Sequence, residues 1–380
     1  MAANDRSQLL EDSRPTSGPC VFGKLSRMPL RITFVLPGRG LSGGIRVVVI
    51  HGNKLIERGH QVTIVCLHSP WPRRPTGLLQ RLRDEIGNWT GWTRDHVHDF
   101  KGAVRTGHVR DLGGAVPDGD VVIATHWTTA DPVAGLGKRK GRKAYFLQNY
   151  EAHSFDPDKV DATWRLPLQK IVVAHWLQDL ARDRFGDPSA VLVPNGVDTQ
   201  QFHAPPRHLQ TPPTVGFMYS PAAFKNVGMA FEAVELVRRQ IRDLRVVSFG
   251  AVKPEGDNGA TAGMQFFLRP PQDRLRDIYS STDIWLCTSN VEGFGLPVLE
   301  AMACRCPVVT ARCGGVDDFV NDGVNGYLVN VGDPAAMAER ILTLLSDRNR
   351  WARMSDAAFE TRLRFSWDHA VDLLETAITP

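Results

Sequence analysis

Two glutamates eight positions apart, Glu292 and Glu300, carry the most informative chemical pattern in this sequence. Between them lies the loop 292–295, Glu-Gly-Phe-Gly, which follows an apolar run ending at Cys287 and leads to Pro297, a residue that suits the first turn of a helix. The backbone N–H groups of such a loop and helix start favour an anion such as a diphosphate. Because carboxylates accept hydrogen bonds from hydroxyl groups, two of them beside an anion site suggest a sugar nucleotide.

A second glycine-rich stretch raises the alternative of a dinucleotide. Gly38, Gly40 and Gly43 have the spacing Gly-x-Gly-x-x-Gly directly after an apolar run. A dinucleotide-binding turn also needs an acidic residue about 20 positions later, which binds the ribose hydroxyls. Here the next apolar run ends at Leu67 and is followed by histidine and serine. The missing acid argues against an NAD-dependent dehydrogenase.

The elements that must hold these loops are predicted from apolar runs that alternate with helix-like stretches, a pattern typical of parallel sheets covered by helices. The first set of runs lies at 32–36, 62–67, 121–124, 144–147, 171–173 and 191–193. The second set lies at 215–218, 245–249, 264–268, 284–287, 308–310 and 327–329, after a proline-rich linker at 201–213. Ligands of open parallel sheets bind at the carboxyl ends of the strands, so we expect the active site in a cleft between two doubly wound halves.

The composition is that of a globular protein of about two domains, with 380 residues, 42% hydrophobic and 23% charged. The net charge of +4 is mild for this length and gives no reason to expect nucleic acid binding. The six cysteines include no Cys-x-x-Cys pair, so we expect neither a metal site nor a disulfide framework. No run approaches the roughly 18 apolar residues of a membrane-spanning helix, and the start lacks a secretory signal. We therefore predict a cytoplasmic protein.

The stretch "EGFGLPVLEAMA" resembles the signature of family 4 retaining glycosyltransferases, whose GT-B fold has two Rossmann-like domains facing each other across a cleft. Further motifs of that family follow in the expected order: "PNGVD" at 194–198, "GG" at 314–315, "DGVNGYLV" at 322–329 and "FSWDHAVDLLE" at 365–375. The resemblance implies a flexible tail at 1–28, an acceptor-side domain at 29–205 and a nucleotide-sugar-binding domain at 206–365. It also implies that a C-terminal helix, 366–380, packs back on the first domain.

On the donor side, the resemblance assigns a role to each residue of the signature. It implies that Glu292 contacts hydroxyls of the donor sugar and that Glu300 binds the ribose. The backbone N–H groups of Phe294, Gly295 and Leu296 would hold the diphosphate.

Lys225, in "YSPAAFKNV", matches the family lysine that neutralises the diphosphate leaving group. The family often has an arginine about six residues before this lysine and a glycine after it, whereas this chain has Tyr219 and Asn226. Arg305 likewise stands where a glycine is usual. These departures leave open which group supplies a second positive charge to the diphosphate.

On the acceptor side, the resemblance places Gly43 and Gly44 at the cleft, where their backbone approaches the donor phosphate or the acceptor. His126 follows a strand and matches a family histidine near the reacting sugar, which makes it a catalytic candidate. Asn149 and Glu151, after the next strand, are acceptor-side candidates; the alternative for Glu151 is a solvated loop acid.

The stretch 71–92 has leucines and tryptophans at helical spacing with arginines between them. Two interpretations stay open: a helix buried against the first domain, or one that contacts the acceptor or a membrane surface. The second would make the protein peripheral at the inner face of the membrane.

These features predict a retaining glycosyltransferase that moves a sugar from a nucleoside-diphosphate-sugar donor to an acceptor hydroxyl, without a cofactor or metal. Two Asp-x-Asp pairs, at 118–120 and 156–158, do not follow strands as a metal-binding pair would. The alternatives are a sugar-phosphate synthase or hydrolase of the same fold and a non-catalytic sugar-nucleotide-binding protein. The stretch 144–155 is similar to bacterial polysaccharide rhamnosyltransferases, which implies a deoxythymidine diphosphate sugar as one donor to test.

Overall fold

The computed structural model describes residues 28–68, 95–254 and 261–379, which form two parallel sheets with helices packed on them. The strands of the first sheet are β1 (Arg31–Leu36), β2 (Gln61–Leu67), β3 (Ala103–Gly107), β4 (Val121–Ala124), β5 (Arg142–Leu147), β6 (Gln169–Val172) and β7 (Val191–Leu192). Those of the second are β8 (Thr214–Tyr219), β9 (Arg245–Gly250), β10 (Met264–Leu268), β11 (Ile284–Cys287), β12 (Val308–Ala311) and β13 (Gly326–Val329). The strand orders are 3-2-1-4-5-6-7 and 10-9-8-11-12-13.

Helices lie between the strands as crossovers, and three more follow the last strand. Those of the first part are α1 (Gly43–Glu57), α2 (Leu112–Ala115), α3 (Trp127–Ala134), α4 (Pro157–Trp164) and α5 (His175–Phe185). Those that follow are α6 (Val227–Arg238), α7 (Gln272–Ser280), α8 (Leu296–Ala303), α9 (Pro334–Leu345), α10 (Arg348–Thr361) and α11 (Trp367–Ile378). Two Rossmann-like sheets in succession confirm the predicted fold class.

Strands buried on both faces explain why the sequence predicts the sheets so well. Every residue of β4 and of β12 is buried, so these strands appear in the sequence as uninterrupted apolar runs. β3 is the strand that the apolar pattern missed. It lies at the edge of the first sheet and leaves four of its five residues exposed, so it carries no apolar run.

The last helix, α11, packs on α1 of the first domain and not on the second sheet that precedes it. Ion pairs line this contact: Lys54 with Asp368 at 2.7 Å and Arg58 with Asp372 at 2.6 Å. Beneath them His51 is fully buried, edge-on to the rings of both Phe146 and Trp367.

Apolar packing continues from one domain into the other. The cluster that fills the first sheet also includes Phe294 and Val298, at the start of α8, and Leu374 of α11. A second cluster, around Phe217 and Ile341, packs β8 against α9. The domains therefore meet over a dry contact, and the cleft opens beside it.

Candidate active site

A cavity of about 1720 Å³ lies where the carboxyl ends of the two sheets face each other. Leu36 and Gln148 line it at the ends of β1 and β5, and Tyr219 and Gly250 line it at the ends of β8 and β9. Pockets for single drug-sized ligands usually measure about 300–1,000 Å³. This cleft therefore has room for two substrates side by side.

The loop after β11 presents backbone donors to this cavity. Gly295 has a φ of 92°, which brings the chain into α8 with Leu296 and Pro297 in its first turn. The side chain of Phe294 is buried against Phe319 and Phe365, so this residue offers its backbone to the cleft. Exposed N–H groups at a helix start favour a phosphate.

Lys225 and Glu292 form a close ion pair in the floor of the cavity, with 2.5 Å between the ammonium and Glu292 Oε1. The Ser289 hydroxyl donates to the same oxygen at 2.6 Å. Burial lowers the pKa of Lys225, but the adjacent Glu292 more than compensates, so the pKa is raised overall. The Lys225 ammonium is therefore charged at neutral pH. It stands next to a carboxylate that can accept hydrogen bonds from hydroxyl groups.

Glu300 lies one helical turn into α8 and is nearly covered, with a 4% exposed side chain. Its Oε1 is 2.5 Å from Nη1 of Arg46 in α1, and its Oε2 accepts from the Tyr279 hydroxyl at 3.0 Å. No role for Arg46 was predicted from the sequence. The available signal was a charged residue inside the apolar run "IRVVVI", since a buried charge requires a partner.

His126 and Glu151 meet on the side of the cavity formed by the first domain, where His126 Nε2 is 3.3 Å from Glu151 Oε1. His126 is the N-cap of α3 and its Nδ1 accepts the N–H of Thr128 at 3.3 Å, which leaves Nε2 as the nitrogen that carries the proton in the neutral ring. Burial lowers the pKa of His126 to about 4. Burial raises the pKa of Glu151 to about 8, although the Trp127 N–H that donates to it has the opposite effect.

The glycines of the first domain and Asn149 complete this side of the cleft. Ser42 caps α1, so that Gly43 and Gly44 form its first turn and line the cavity. The Gln148 amide donates to the Gly44 carbonyl at 3.1 Å. Asn149 also lines the cavity, and its side chain accepts the N–H of the next residue at 2.9 Å.

The two domains touch at Gly293. A Cβ on this residue would lie 1.7 Å from the carbonyl oxygen of Gln148 in the first domain. Trp176 of α5 also donates its ring N–H to the Gly293 carbonyl at 3.1 Å. The loop 292–295 is therefore in backbone contact with the opposite domain.

Comparison with known proteins finds a family match in the second half of the chain. Residues 198–361 match the family model described as Glycosyl transferases group 1. Two curated relatives are D-inositol 3-phosphate glycosyltransferases. The one from Xylanimonas cellulosilytica is 43% identical over 105 residues, 27% of this chain and 25% of the relative. The one from Corynebacterium diphtheriae is 33% identical over 172 residues, 40% of this chain and 39% of the relative.

The chain thus spans between about a quarter and two fifths of the length of these curated relatives. Among solved structures, Anabaena Alr3699/HepE in complex with UDP-glucose is similar over 91% of this chain and 99% of that one, with a TM-score of 0.72 and 16% identity. A likeness at this identity shows the fold, which is GT-B.

Two departures from the family pattern have a structural explanation. Asn226, which replaces a usual glycine after Lys225, has a φ of 43°, and asparagine tolerates this left-handed conformation better than most residues. Arg305 has a φ of 59°, and its guanidinium stacks 3.9 Å from the Phe359 ring and pairs with Asp356. Arg305 therefore supports the packing of α8 and α10.

Tyr219 stands at the position where the family often has an arginine, and it lies at the cavity wall. Tyrosine at this position therefore leaves the wall without that positive charge. Among the described residues that line the cavity, the arginines are Arg39, which pairs with Asp95 at 2.8 Å, and Arg269, which donates to a backbone carbonyl. Both are already engaged in this structure.

The two Asp-x-Asp pairs, the stretch 71–92 and the predicted tail are not part of this site. Asp118 and Asp120 lie before β4, where they pair with Arg139 and Arg31, and Asp156 caps α4. The stretch 71–92 and residues 1–27 of the predicted tail lie outside the described residues. Within the ranges that are described, no helix is long and apolar enough to cross a membrane.

Proposed function

We propose that this chain is a retaining glycosyltransferase that transfers a sugar from a nucleoside-diphosphate-sugar donor to an acceptor hydroxyl. The observation that carries the proposal is the Lys225–Glu292 pair beside the start of α8, in a cleft shared by two Rossmann-like domains. The group 1 family match and the names of the curated relatives support the reaction class.

In this proposal the positively charged groups bind the diphosphate and the carboxylate binds the sugar. Lys225 and the N–H groups of 294–296 stabilise the diphosphate as it departs, because they stand preorganised where negative charge develops. Glu292 accepts hydrogen bonds from the hydroxyls of the sugar. These groups need no divalent metal to perform this role, and we expect the reaction to be metal-independent.

His126 would act as a neutral hydrogen-bond donor. With a pKa of about 4, its ring is uncharged at neutral pH, and Nε2–H faces the cleft beside Glu151. Retention follows if the acceptor attacks on the face from which the diphosphate leaves and a phosphate oxygen takes its proton. This course requires no protein nucleophile, and the site assigns none.

The donor base and sugar are the finer part of the proposal. A solved neighbour of the same fold is a complex with UDP-glucose, which makes uridine diphosphate sugars the first class to test. Deoxythymidine diphosphate rhamnose is the second, from the resemblance of 144–155 to polysaccharide rhamnosyltransferases. A cytoplasmic role in polysaccharide synthesis would fit either donor.

The test is a thermal-shift panel of UDP-, GDP- and dTDP-sugars, followed by transfer assays with the stabilising donor. A ligand that binds the folded state alone raises the apparent melting temperature. Proton NMR of the early product from an α-linked donor should show an α linkage. A protein that no nucleotide sugar stabilises, or a product of inverted configuration, would overturn the proposal.

A further inference from the structure

Two aromatic rings from different domains meet across the cleft. The centroid of the His153 ring, in the first domain, lies 4.8 Å from that of the Phe224 ring, in the second, and the ring planes are inclined by 67°. Both residues line the cavity. His153 is exposed and Phe224 is half-buried, so neither ring is enclosed by the core of its own domain. The two rings therefore separate when the cleft opens.

On the second domain, Phe224 belongs to the short turn that carries Lys225. The turn spans Ala223–Lys225, and the Phe224 ring lies 5.2 Å from the lysine ammonium. The Phe224 carbonyl accepts the N–H of Asn290 at 2.7 Å. The second domain thus holds the backbone of this turn, and the first domain contacts its side chain through His153.

On the first domain, His153 ends the turn Glu151–His153, which begins with the partner of His126. Its Nδ1 lies within hydrogen-bond distance of the Tyr150 carbonyl, which can only accept, so Nδ1 carries the proton in the neutral ring. Burial lowers the pKa of His153, so the ring is uncharged at neutral pH. A neutral imidazole packs against a phenyl ring as one aromatic group against another, and an inclined arrangement of this kind is favourable.

We propose that His153 and Phe224 form a latch between the two domains, and that His153 is a positioning residue for transfer. When the cleft closes, the His153 ring contacts Phe224 and holds the turn of Lys225 against the first domain. An aromatic pair shifts an equilibrium by about two- to tenfold, which favours the closed cleft but still permits opening in every turnover. The latch itself needs no substrate, whereas its effect on transfer rests on the proposed function.

Amide hydrogen exchange of the ligand-free protein tests the latch without any substrate. The amides of Ser154 and Lys225 report on the two turns, because each forms a local hydrogen bond, at 3.0 and 2.9 Å. His153→Ala should speed exchange at Lys225, on the other side of the cleft, by about two- to tenfold, since exchange proceeds from opened states. Phe224→Ala should do the same at Ser154. Effects confined to the substituted domain would refute the latch.

Steady-state kinetics, with the donor that stabilises the protein, test the effect on transfer. His153→Ala and Phe224→Ala should each lower kcat about two- to tenfold and leave the donor KM within about twofold, because the donor binds before the latch closes. The double variant should be no worse than either single variant, since both remove the same contact. His153→Phe keeps a ring without the imidazole nitrogens and should restore kcat and exchange to within about twofold of the wild type. The matched control is His369→Ala, at an exposed histidine of α11 that does not line the cavity.

The outcomes separate the latch from a chemical role and from the proposed function. If His153→Phe loses as much kcat as His153→Ala, the imidazole nitrogens act in the reaction and the inference is wrong. If the double variant loses the product of the two single effects, the rings act independently and the latch is refuted. If the wild-type protein transfers no sugar from any donor, the proposed function fails, while hydrogen exchange still decides the latch. Should Phe224→Ala fail to fold, Phe224→Leu keeps an apolar side chain without the ring, and unchanged protection at Ser154 would count against the inference.

Discussion

Replacing Gly293 by alanine tests whether the close arrangement of the two domains is the one that supports transfer. The added Cβ would lie 1.7 Å from the Gln148 carbonyl oxygen, which must recede by about 2 Å to reach ordinary contact. This obstacle is backbone, not the end of a flexible side chain. The domains themselves must therefore part.

The free-energy cost of separating the domains follows from the contacts that are strained or lost. Overpacking of a tight contact costs about 1–3 kcal/mol, and loss of the Trp176 hydrogen bond to the Gly293 carbonyl adds about 1 kcal/mol. A penalty of about 2–4 kcal/mol on the closed state corresponds to a roughly 30-fold to 1,000-fold fall in kcat/KM. Nucleoside diphosphate affinity should fall less, because the phosphate contacts that we propose come from the second domain.

The assay combines kcat/KM for transfer with small-angle X-ray scattering, which should record a larger radius of gyration for Gly293→Ala. Gly137→Ala provides the control, since a Cβ at this loop position meets no atom within 4 Å. If Gly293→Ala matches the wild type in both kcat/KM and scattering, the close domain contact has no part in catalysis and the reasoning fails.

Three further predictions use the charges and buried groups of the site. Lys225→Met should lower kcat/KM by about 10²–10³, since the lost charge acts mainly in the transition state; an effect below tenfold would contradict that role. Burial raises the pKa of Glu151 to about 8, so the plot of kcat/KM against pH should change slope near pH 8. This change of slope should be absent in Glu151→Gln, and its persistence would exclude Glu151 as the titrating group. His51 is neutral in the folded state, where burial lowers its pKa to about 3 from its ordinary value of 6.5, so the unfolded state binds the extra proton as pH falls below 6.5. The free energy of unfolding should drop by about 2 kcal/mol from this group between pH 7.5 and 5, and denaturant titrations of His51→Leu should lack that part of the loss; equal pH slopes in both proteins would refute it.

The sequence predicts those parts of the site that depend on local chain geometry. The run ending at Cys287, the glycines of 292–295 and Pro297 suffice for a strand, a turn and a helix start, and the structure has all three. Buried parallel strands are recognisable because both of their faces must be apolar.

Contacts between the domains could not be predicted in this way. The pairing of Arg46 with Glu300 joins residues 254 positions apart, and the approach of Gly293 to Gln148 depends on how two separate sheets dock. Neither leaves a periodic pattern in the sequence. Arg46 gave a weak signal as a charge within an apolar run, and Gly293 gave none beyond its residue type.

The packing of α11 on α1 has a consequence for synthesis of the protein. The first sheet leaves the ribosome before the second domain, but the surface of α1 that receives Trp367 and Leu374 stays uncovered until α11 emerges. At about 5–20 residues per second, the roughly 190 residues from the end of β7 to the end of α11 take about ten to forty seconds. The domain made first is therefore completed last, and its open apolar groove is the surface on which chaperones or misassembly would act. A circular permutant that begins with α11 would close the groove as soon as α1 has been made.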